Sequence, residues 1–357
     1  MHVLVVTVVH HPLDARICQR QIPALLAAGH RVTFAAPWTE TGTSTTLPMT
    51  CLDLPRASGR RRLAALQAAR RLLAVTPADV VVLHDPELLL AAPRARSGVV
   101  IWDVHEDTVA ALPDKPWLPA WAAGPVRIAF RAAEHLAERR LHLLLAEAGY
   151  RQRFRRDHPV VPNDTAVPQV VPPSAAGRAV FIGRLSHGRG ALDMVQAARR
   201  LAPHIAVDLI GPADADVRPA LVAADADGVL RWHGFVPNEQ ALRMVEGATA
   251  GLSLLHDAPN YRHSRPTKVI EYLAHGVPVV TTPLPAAREI VERAHAGVVV
   301  PFGDPEAAAG AVRRLSEDDQ GRRAMAARGH AAARESYDWA RSGAEFVALL
   351  EAWAGIR

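Results

Sequence analysis

Cysteine is almost missing: Cys18 and Cys51 are the only two in 357 residues. A disulfide framework and a thiolate zinc cluster are therefore not expected, and a reducing cytoplasm is the natural compartment. Lysine is as scarce, with Lys115 and Lys268 the only two among 41 basic residues. No uncharged apolar run approaches the roughly 18 residues needed to cross a bilayer. The apolar start at Val3–Val9 has no basic segment before it and runs into His10, His11, Asp14 and Arg16. That is a poor secretory signal and a good buried strand. Several chemical signatures are also absent. There is no Gly-x-Gly-x-x-Gly, and neither lysine follows a glycine, which excludes the usual dinucleotide fingerprint and the Walker phosphate loop. His105-Glu106 continues into Asp107-Thr108 without a second histidine, and no Gly-x-Ser-x-Gly elbow occurs.

What is present is a globular composition, 49% apolar and 22% charged. The length suits two domains of roughly 150 to 200 residues. The net charge of +5 is uneven, with 20 basic and 15 acidic residues in 1–170 against 21 of each in 171–357. The excess gathers at Arg60–Arg62, Arg70–Arg71, Arg139–Arg140 and Arg151–Arg156. Such clusters attract anionic lipid or an acidic substrate, and they also serve as a plain solvated surface. Nucleic acid is the weaker partner, because the clusters lack interleaved aromatics. Trp117, Trp121 and Phe130 with nearby arginines fit a helix lying against an anionic membrane face, so peripheral contact at the inner membrane surface is a second expectation.

Short Val- and Leu-rich runs alternate with amphipathic stretches, the pattern of parallel strands covered on both faces. Strands are expected at Val3–Val9, Arg31–Ala35, Val80–Leu83, Val99–Val104, Leu141–Leu145 and Val160–Val161, with helical stretches including Ala15–Ala28, Glu87–Ala95, Arg127–Arg140 and Glu147–Arg156. After a proline-rich break the rhythm restarts, with strands expected at Ala179–Ile182, Ala206–Ile210, Val229–Trp232, Gly251–Leu254, Val277–Thr281 and Gly297–Val300. The fold class is α/β, two doubly wound Rossmann-like domains facing a deep cleft, where ligands of such sheets bind. The boundaries read as 1–165, a linker at 166–178, a second domain at 179–335 and a C-terminal helix at 336–357.

Three constellations carry chemistry. Gly183-Arg184-Leu185-Ser186-His187-Gly188-Arg189-Gly190 is a glycine-rich strand-to-helix turn with two guanidiniums, suited to a diphosphate. Ser264-Arg265-Pro266-Thr267-Lys268 opens a helix that ends near Gly276, so backbone donors around Thr267 and Lys268 meet a compact positive charge. Glu271, one turn further in, suits a ribose diol. Trp102-Asp103-Val104-His105-Glu106-Asp107 ends a strand and delivers His105 toward the cleft. The loop from His10 to Arg16 belongs to the same end, with Asp14 also suited to capping a helix. Asp214-Ala-Asp216 reads as a turn before a helix rather than a metal site.

Together these segments, with Val161-Pro162-Asn163, His233-Gly234-Phe235-Val236 and Pro301-Phe302-Gly303-Asp304-Pro305, resemble the retaining, nucleotide-sugar-dependent glycosyltransferases of family 4, which have the GT-B fold. The resemblance implies that the second domain binds a nucleoside diphosphate sugar and the first an acceptor, with a last helix crossing back. It implies that Arg184, Arg189, Thr267 and Lys268 hold the diphosphate, that Glu271 holds the ribose, and that His105 lies near the reacting sugar; His105, Arg184 and Lys268 are the expected catalytic residues. His11, Asp14, Arg16, Glu106 and His263 are candidate acceptor or donor-sugar contacts. No metal or other cofactor is implied. The family often has Lys where Arg189 stands and Glu where His263 stands. A subset with a Ser-x-Pro-x-Lys segment matches Ser264 to Lys268, where Lys268 supplies the missing polar contact. A nucleotide-sugar epimerase of the same fold and a non-catalytic nucleotide-sugar sensor are the alternatives. Base, sugar, acceptor and oligomeric state are not readable from the chain.

Overall fold

A computed structural model describes residues 1–105, 120–262 and 265–356. The chain forms two compact units, Met1–Asn163 with Ala340–Arg357, and Asp164–Trp339. In the first unit the strands are β1 (His2–Val6), β2 (Arg31–Ala36), β3 (Thr50–Asp53), β4 (Val80–Leu83), β5 (Val99–Val104) and β6 (His142–Leu145). Their order is β3-β2-β1-β4-β5-β6, and every pairing is parallel. In the second unit they are β7 (Arg178–Ile182), β8 (Ala206–Ile210), β9 (Arg231–Trp232), β10 (Ala250–Ser253), β11 (Val279–Thr281) and β12 (Gly297–Val299). Their order is β12-β11-β10-β7-β8-β9, again all parallel. Both sheets are thus wound outward from a central pair, β1/β4 and β7/β10. The loops leaving those strands diverge there and open a crevice, the switch point at which doubly wound sheets take ligands. The fold is GT-B, α/β with two Rossmann-like sheets.

The central strands are solid apolar runs because both of their faces are covered. Val3 to Val6 and Val80 to Leu83 are all buried. In the second unit the faces alternate: Phe181 points into a cluster with Leu185, Met194, Leu209, Leu252 and Val312, whereas Val180 and Ile182 point into one with Val269, Ile270, Tyr272 and Val291. Helix Thr267–Ala274 has only eight residues but buries Val269, Ile270 and Leu273 against that second face. Each contributes on the order of 1.5 to 3 kcal/mol as an upper bound. That anchorage is what holds a short helix carrying a lysine and a glutamate in the interior.

Tyr272 ties the switch point of the second sheet. Its hydroxyl donates to the Leu252 carbonyl at 3.1 Å and accepts from the Ile182 amide at 3.0 Å, bridging β10 and β7. Its ring lies on Gly251, where a Cβ would come within 2.4 Å of it. The last helix, Trp339–Trp353, passes into the first unit, where Phe346 and Leu350 are fully buried and Trp353 stacks on His142 at 4.7 Å.

Several local expectations are corrected. Edge strand β3, Thr50-Cys51-Leu52-Asp53, is mostly exposed and has no apolar run to announce it. Val160–Val161 is no strand but a single bridge between Leu145 and Val160, since Pro159 and Pro162 bracket it. Glu87–Ala95 and Glu147–Arg156 are 3₁₀ turns, at Pro86–Leu90, Ala92–Arg94 and Ala148–Arg153, broken by proline in the first case. Ala15–Ala28 is a π-turn at Ile17–Gln21 followed by an α-helix at Ile22–Ala27. Val3–Val9 ends as a strand at Val6. Glu106, Trp117, His263 and Ser264 lie outside the described residues.

Candidate active site

In the second unit, β7 is followed by Gly183, whose φ of 117° only glycine holds without strain. A Cβ there would lie 3.8 Å from Lys268 Cε. The turn continues through Arg184 and a 3₁₀ turn at His187–Arg189 to Gly190, which caps helix Ala191–Leu201 in the left-handed conformation at φ 74°. Any side chain at 190 would put its Cβ 2.1 Å from the Leu254 carbonyl oxygen. The glycines therefore let this turn lie directly against β10 and the lysine.

Lys268 is 9% exposed, with its Nζ 4.7 Å from the centre of the Phe181 ring. Burial pushes its pKa down to about 7, Arg189 pushes the same way, and Glu271 opposes them. Glu271 is itself buried and Arg189 half-buried. Lys268, Arg189, Glu271 and the Gly183 turn are thus gathered at the β7/β10 switch point. The helix bearing Lys268 follows Pro266, whose carbonyl accepts from the Val269 amide at 3.0 Å, and among the described residues no side chain caps its start. Thr267 is the first helical residue and half-buried. Arg265 just before it is pinned by Asp164 at 2.8 Å and lies over the Tyr337 ring.

Arg184 stands apart from that group. It is 64% exposed, and its Nε donates to Asp214 at 2.5 Å. Asp214 opens the turn before helix Arg218–Ala226 through its backbone carbonyl, which accepts from Val217 and Arg218, leaving its carboxylate for Arg184.

In the first unit the polar site centres on Asp103, fully buried at the end of β5. It accepts from Arg16 Nε at 2.8 Å, Arg16 Nη2 at 2.7 Å and Gln21 Nε2 at 2.8 Å. Burial opposes its charge, but the Arg16 guanidinium overrides this and holds the carboxyl well below the usual range. The π-turn has a local reason here. The Gln21 amide bonds back to the Arg16 carbonyl at 3.0 Å, five residues away, and the two side chains reach the same carboxylate. Arg16 is 4% exposed and also donates to Asn163 and to the Val161 carbonyl, so it frames the site from within.

Around Asp103 stand three imidazoles. His105 Nδ1 lies 3.2 Å from the Asp103 carbonyl oxygen, and its Nε2 lies 2.9 Å from His10 Nε2. His84 is fully buried, with Nδ1 3.3 Å from Asp103 Oδ2 in ion-pair range but misaligned for a hydrogen bond. Burial first, then His10, lowers the His105 pKa to about 3 despite Asp103. Asp14 caps the turn by accepting from the Arg16 and Ile17 amides at 2.9 and 3.2 Å. Burial works against its charge, while His10 and His105 lower its pKa overall. His11 Nδ1 accepts from the Leu13 amide at 3.1 Å and shapes the loop, its pKa lowered by burial and Arg56. His84, Asp103 and His105 each offer an atom within 4.8 Å of the others, as a metal site would. However, both oxygens of Asp103 already accept from Arg16, whose charge opposes a cation. His84, Asp85 and Gln21 are residues that motif reading did not single out, and Asp214, read as part of a turn, is also the partner of Arg184. The rule that loops after neighbouring central strands converge points to His84 and Asp85.

Two doubly wound parallel sheets, one with a cationic glycine turn at its switch point, define the GT-B class of α/β protein. Residues 176–318 match the family model described as glycosyl transferases group 1. A phosphatidyl-myo-inositol mannosyltransferase of Mycolicibacterium smegmatis is 24% identical over 292 residues, 78% of this chain and 72% of that protein. The amylovoran biosynthesis glycosyltransferase AmsK of Erwinia amylovora is 27% identical over 148 residues, 40% of this chain and about a third of that relative's length, 36%. Among solved structures, sucrose-phosphate synthase of Thermosynechococcus elongatus superposes with a TM-score of 0.75 at 15% identity, covering 98% of both chains. HepE of Anabaena, in complex with UDP-glucose, gives 0.70 at 15% identity over 99% of this chain and 100% of that one. The match to the group 1 glycosyl transferase model lies within the second unit, the relatives similar to the chain are glycosyltransferases, and the solved structures share its fold. Among the described residues, no helix is long and apolar enough to cross a membrane.

Proposed function

We propose that this protein is a retaining glycosyltransferase that moves a sugar from a nucleoside diphosphate donor to an acceptor hydroxyl without a bound metal. The observation that carries the reading is the buried Lys268 amine with Arg189 and Glu271 behind the Gly183 turn. A buried lysine whose pKa is drawn down to about 7 gains its proton when a dianion arrives beside it. Lys268 and Arg189 then grip the diphosphate, with the backbone amides of Thr267 and Lys268 at the helix start adding donors. Glu271 accepts from the ribose hydroxyls. Arg184 joins the phosphate by exchanging its Asp214 partner for it. His105 stands beside the reacting sugar. The UDP-glucose held by HepE favours uridine as the base.

In the transfer, the bond from the sugar's C1 to the β-phosphate oxygen breaks and its electron pair leaves with the diphosphate. The acceptor oxygen bonds to C1 on the face the phosphate is leaving, and its proton passes to the departing phosphate oxygen. Negative charge grows on the diphosphate as this happens, and the cations are worth most at that moment. Turnover is measured with a panel of nucleotide sugars, with and without acceptor hydroxyls, in EDTA. The expected result is acceptor-dependent release of nucleoside diphosphate and a product of unchanged anomeric configuration. Donor isomerisation without acceptor makes the protein an epimerase, binding without turnover makes it a sensor, and loss of activity in EDTA removes the metal-free mechanism. Contact with an anionic membrane surface is a separate part of the proposal, checked by salt-sensitive flotation with anionic vesicles; no flotation removes it.

A further inference from the structure

We infer that His10 is a positioning residue for His105: it donates its Nε2 hydrogen to His105 and so locks that ring as the Nδ1–H tautomer. The inference deepens the transferase reading, on which its functional half rests. A carbonyl oxygen can only accept, so the 3.2 Å contact with the Asp103 carbonyl places a hydrogen on His105 Nδ1. A buried ring between Arg16, His84 and His10 stays uncharged, and a neutral imidazole with hydrogen on Nδ1 has its lone pair on Nε2. That nitrogen lies 2.9 Å from His10 Nε2, which must then be the donor.

His10 is held for this role at its Nε2 by Asp85 and at its backbone amide by Thr7. Asp85 Oδ1 lies 3.4 Å from its Nε2, and Asp14 Oδ2 lies 4.0 Å from its Nδ1. Asp85 is fully buried and accepts from Thr7 Oγ1 at 3.0 Å and from the Val8 and Val9 amides at 2.5 and 3.2 Å. Thr7 Oγ1 in turn accepts from the His10 amide at 3.0 Å. A chain of hydrogen bonds therefore runs from the end of β4, through the loop after β1, to the ring after β5. Packing alone does not explain it, since any flat ring would fill the space without needing a carboxylate beside its donor nitrogen. The charged and titratable groups facing the pair are Asp14, Asp85, Asp103, His84 and Arg16.

The test uses the full chain labelled with 15N at histidine, with long-range proton–nitrogen NMR to read each ring's tautomer and His105→Gln to assign His105. The wild type is expected to show Nδ1–H at His105. His10→Phe keeps a ring of similar size and removes the donor; His105 is expected to become a tautomer mixture. His10→Gln restores an N–H and the single tautomer. With a working donor and acceptor pair, His10→Phe is expected to lower kcat about ten-fold with donor KM unchanged, and His10→Gln to recover part of it. Nε2–H at His105 in the wild type, or a pure Nδ1–H form surviving in His10→Phe, overturns the proposal. The wild-type reading decides even where His10→Phe does not fold. Absence of turnover in every protein strikes the transferase reading and leaves the tautomer result standing.

Discussion

In the first unit, the buried carboxylate of Asp103 accepts three hydrogen bonds from Arg16 and Gln21. In the second, the buried amine of Lys268 sits over an aromatic ring with a guanidinium nearby and its pKa drawn down to about 7. The two sheets have the same winding and place these groups in equivalent crevices. The same topology thus holds one charge satisfied by its own neighbours and another under-compensated. Satisfied charge makes a rigid frame, and under-compensated charge makes a binding site for an opposite one.

The largest effect that tests this contrast is on stability. Asp103→Asn leaves the buried Arg16 guanidinium without its carboxylate, and roughly 3 to 5 kcal/mol of folding stability is expected to go. Denaturant titration measures it; a loss below 1 kcal/mol breaks the idea that the first unit is framed by this pair. The pH dependence has a definite sign. The folded pKa of Asp103 is depressed, so its contribution is complete above the ordinary carboxyl value of about 3.9 and fades as pH falls toward the folded one. The wild type should weaken in acid below about pH 4, and Asp103→Asn should show less of that weakening.

Lys268→Met comes next and reverses the pattern. Turnover is expected to fall by the equivalent of about 2 to 4 kcal/mol. Stability should not fall, because at pH 6 the folded protein holds a poorly solvated ammonium that methionine removes. Between pH 7 and the ordinary lysine value of about 10.4 the folded state loses this proton before the unfolded state does, so wild-type stability rises with pH through that window. The advantage of the methionine variant should therefore shrink as pH rises. Calorimetry at pH 8 in buffers of different ionisation enthalpy should also show proton uptake when UDP binds, and none in Lys268→Met. Uptake unchanged by the substitution would assign the proton to another group.

The contrast also explains which parts were legible beforehand. Lys268, Arg189 and Glu271 lie within two short segments, each a strand-to-helix junction or helix start whose residue types state their chemistry locally. His10, His84, Asp85 and Asp103 come together only because β1, β4 and β5 are neighbours, and no spacing along the chain shows it. Strands Val80–Leu83, Val99–Val104 and Ala206–Ile210 are readable to the residue because burial leaves mostly apolar runs, interrupted only by Asp103 and Asp208. Strand β3 is not, because an exposed edge has no such pattern. The π-turn at Ile17–Gln21 escaped for a third reason: its amphipathic spacing is that of an α-helix, and the grip of Gln21 on Asp103 tightens the case for five-residue bonding only in three dimensions.

A smaller effect separates ribose recognition from phosphate binding. Glu271→Gln keeps the size of a buried side chain and removes its charge, so donor affinity should fall by about 1.5 to 3 kcal/mol, the worth of a hydrogen bond to a charged group. Binding of inorganic pyrophosphate should not fall with it. Parallel losses for UDP and pyrophosphate would move Glu271 from the ribose to the organisation of Lys268.

The smallest effect concerns Arg184, an expected phosphate ligand that pairs with Asp214 in the structure. Its pair with Asp214 is an exposed salt bridge, so Asp214→Asn should alter stability by no more than about 1 kcal/mol. On the proposed reading the carboxylate competes with the donor diphosphate for this guanidinium. Removing that competitor should tighten UDP binding by a few-fold at low salt, with the gain shrinking as salt screens the pair. Weaker binding in Asp214→Asn would mean the opposite arrangement, in which Asp214 aims Arg184 at the phosphate. The second unit would then share the first unit's logic of a charge oriented by its neighbours.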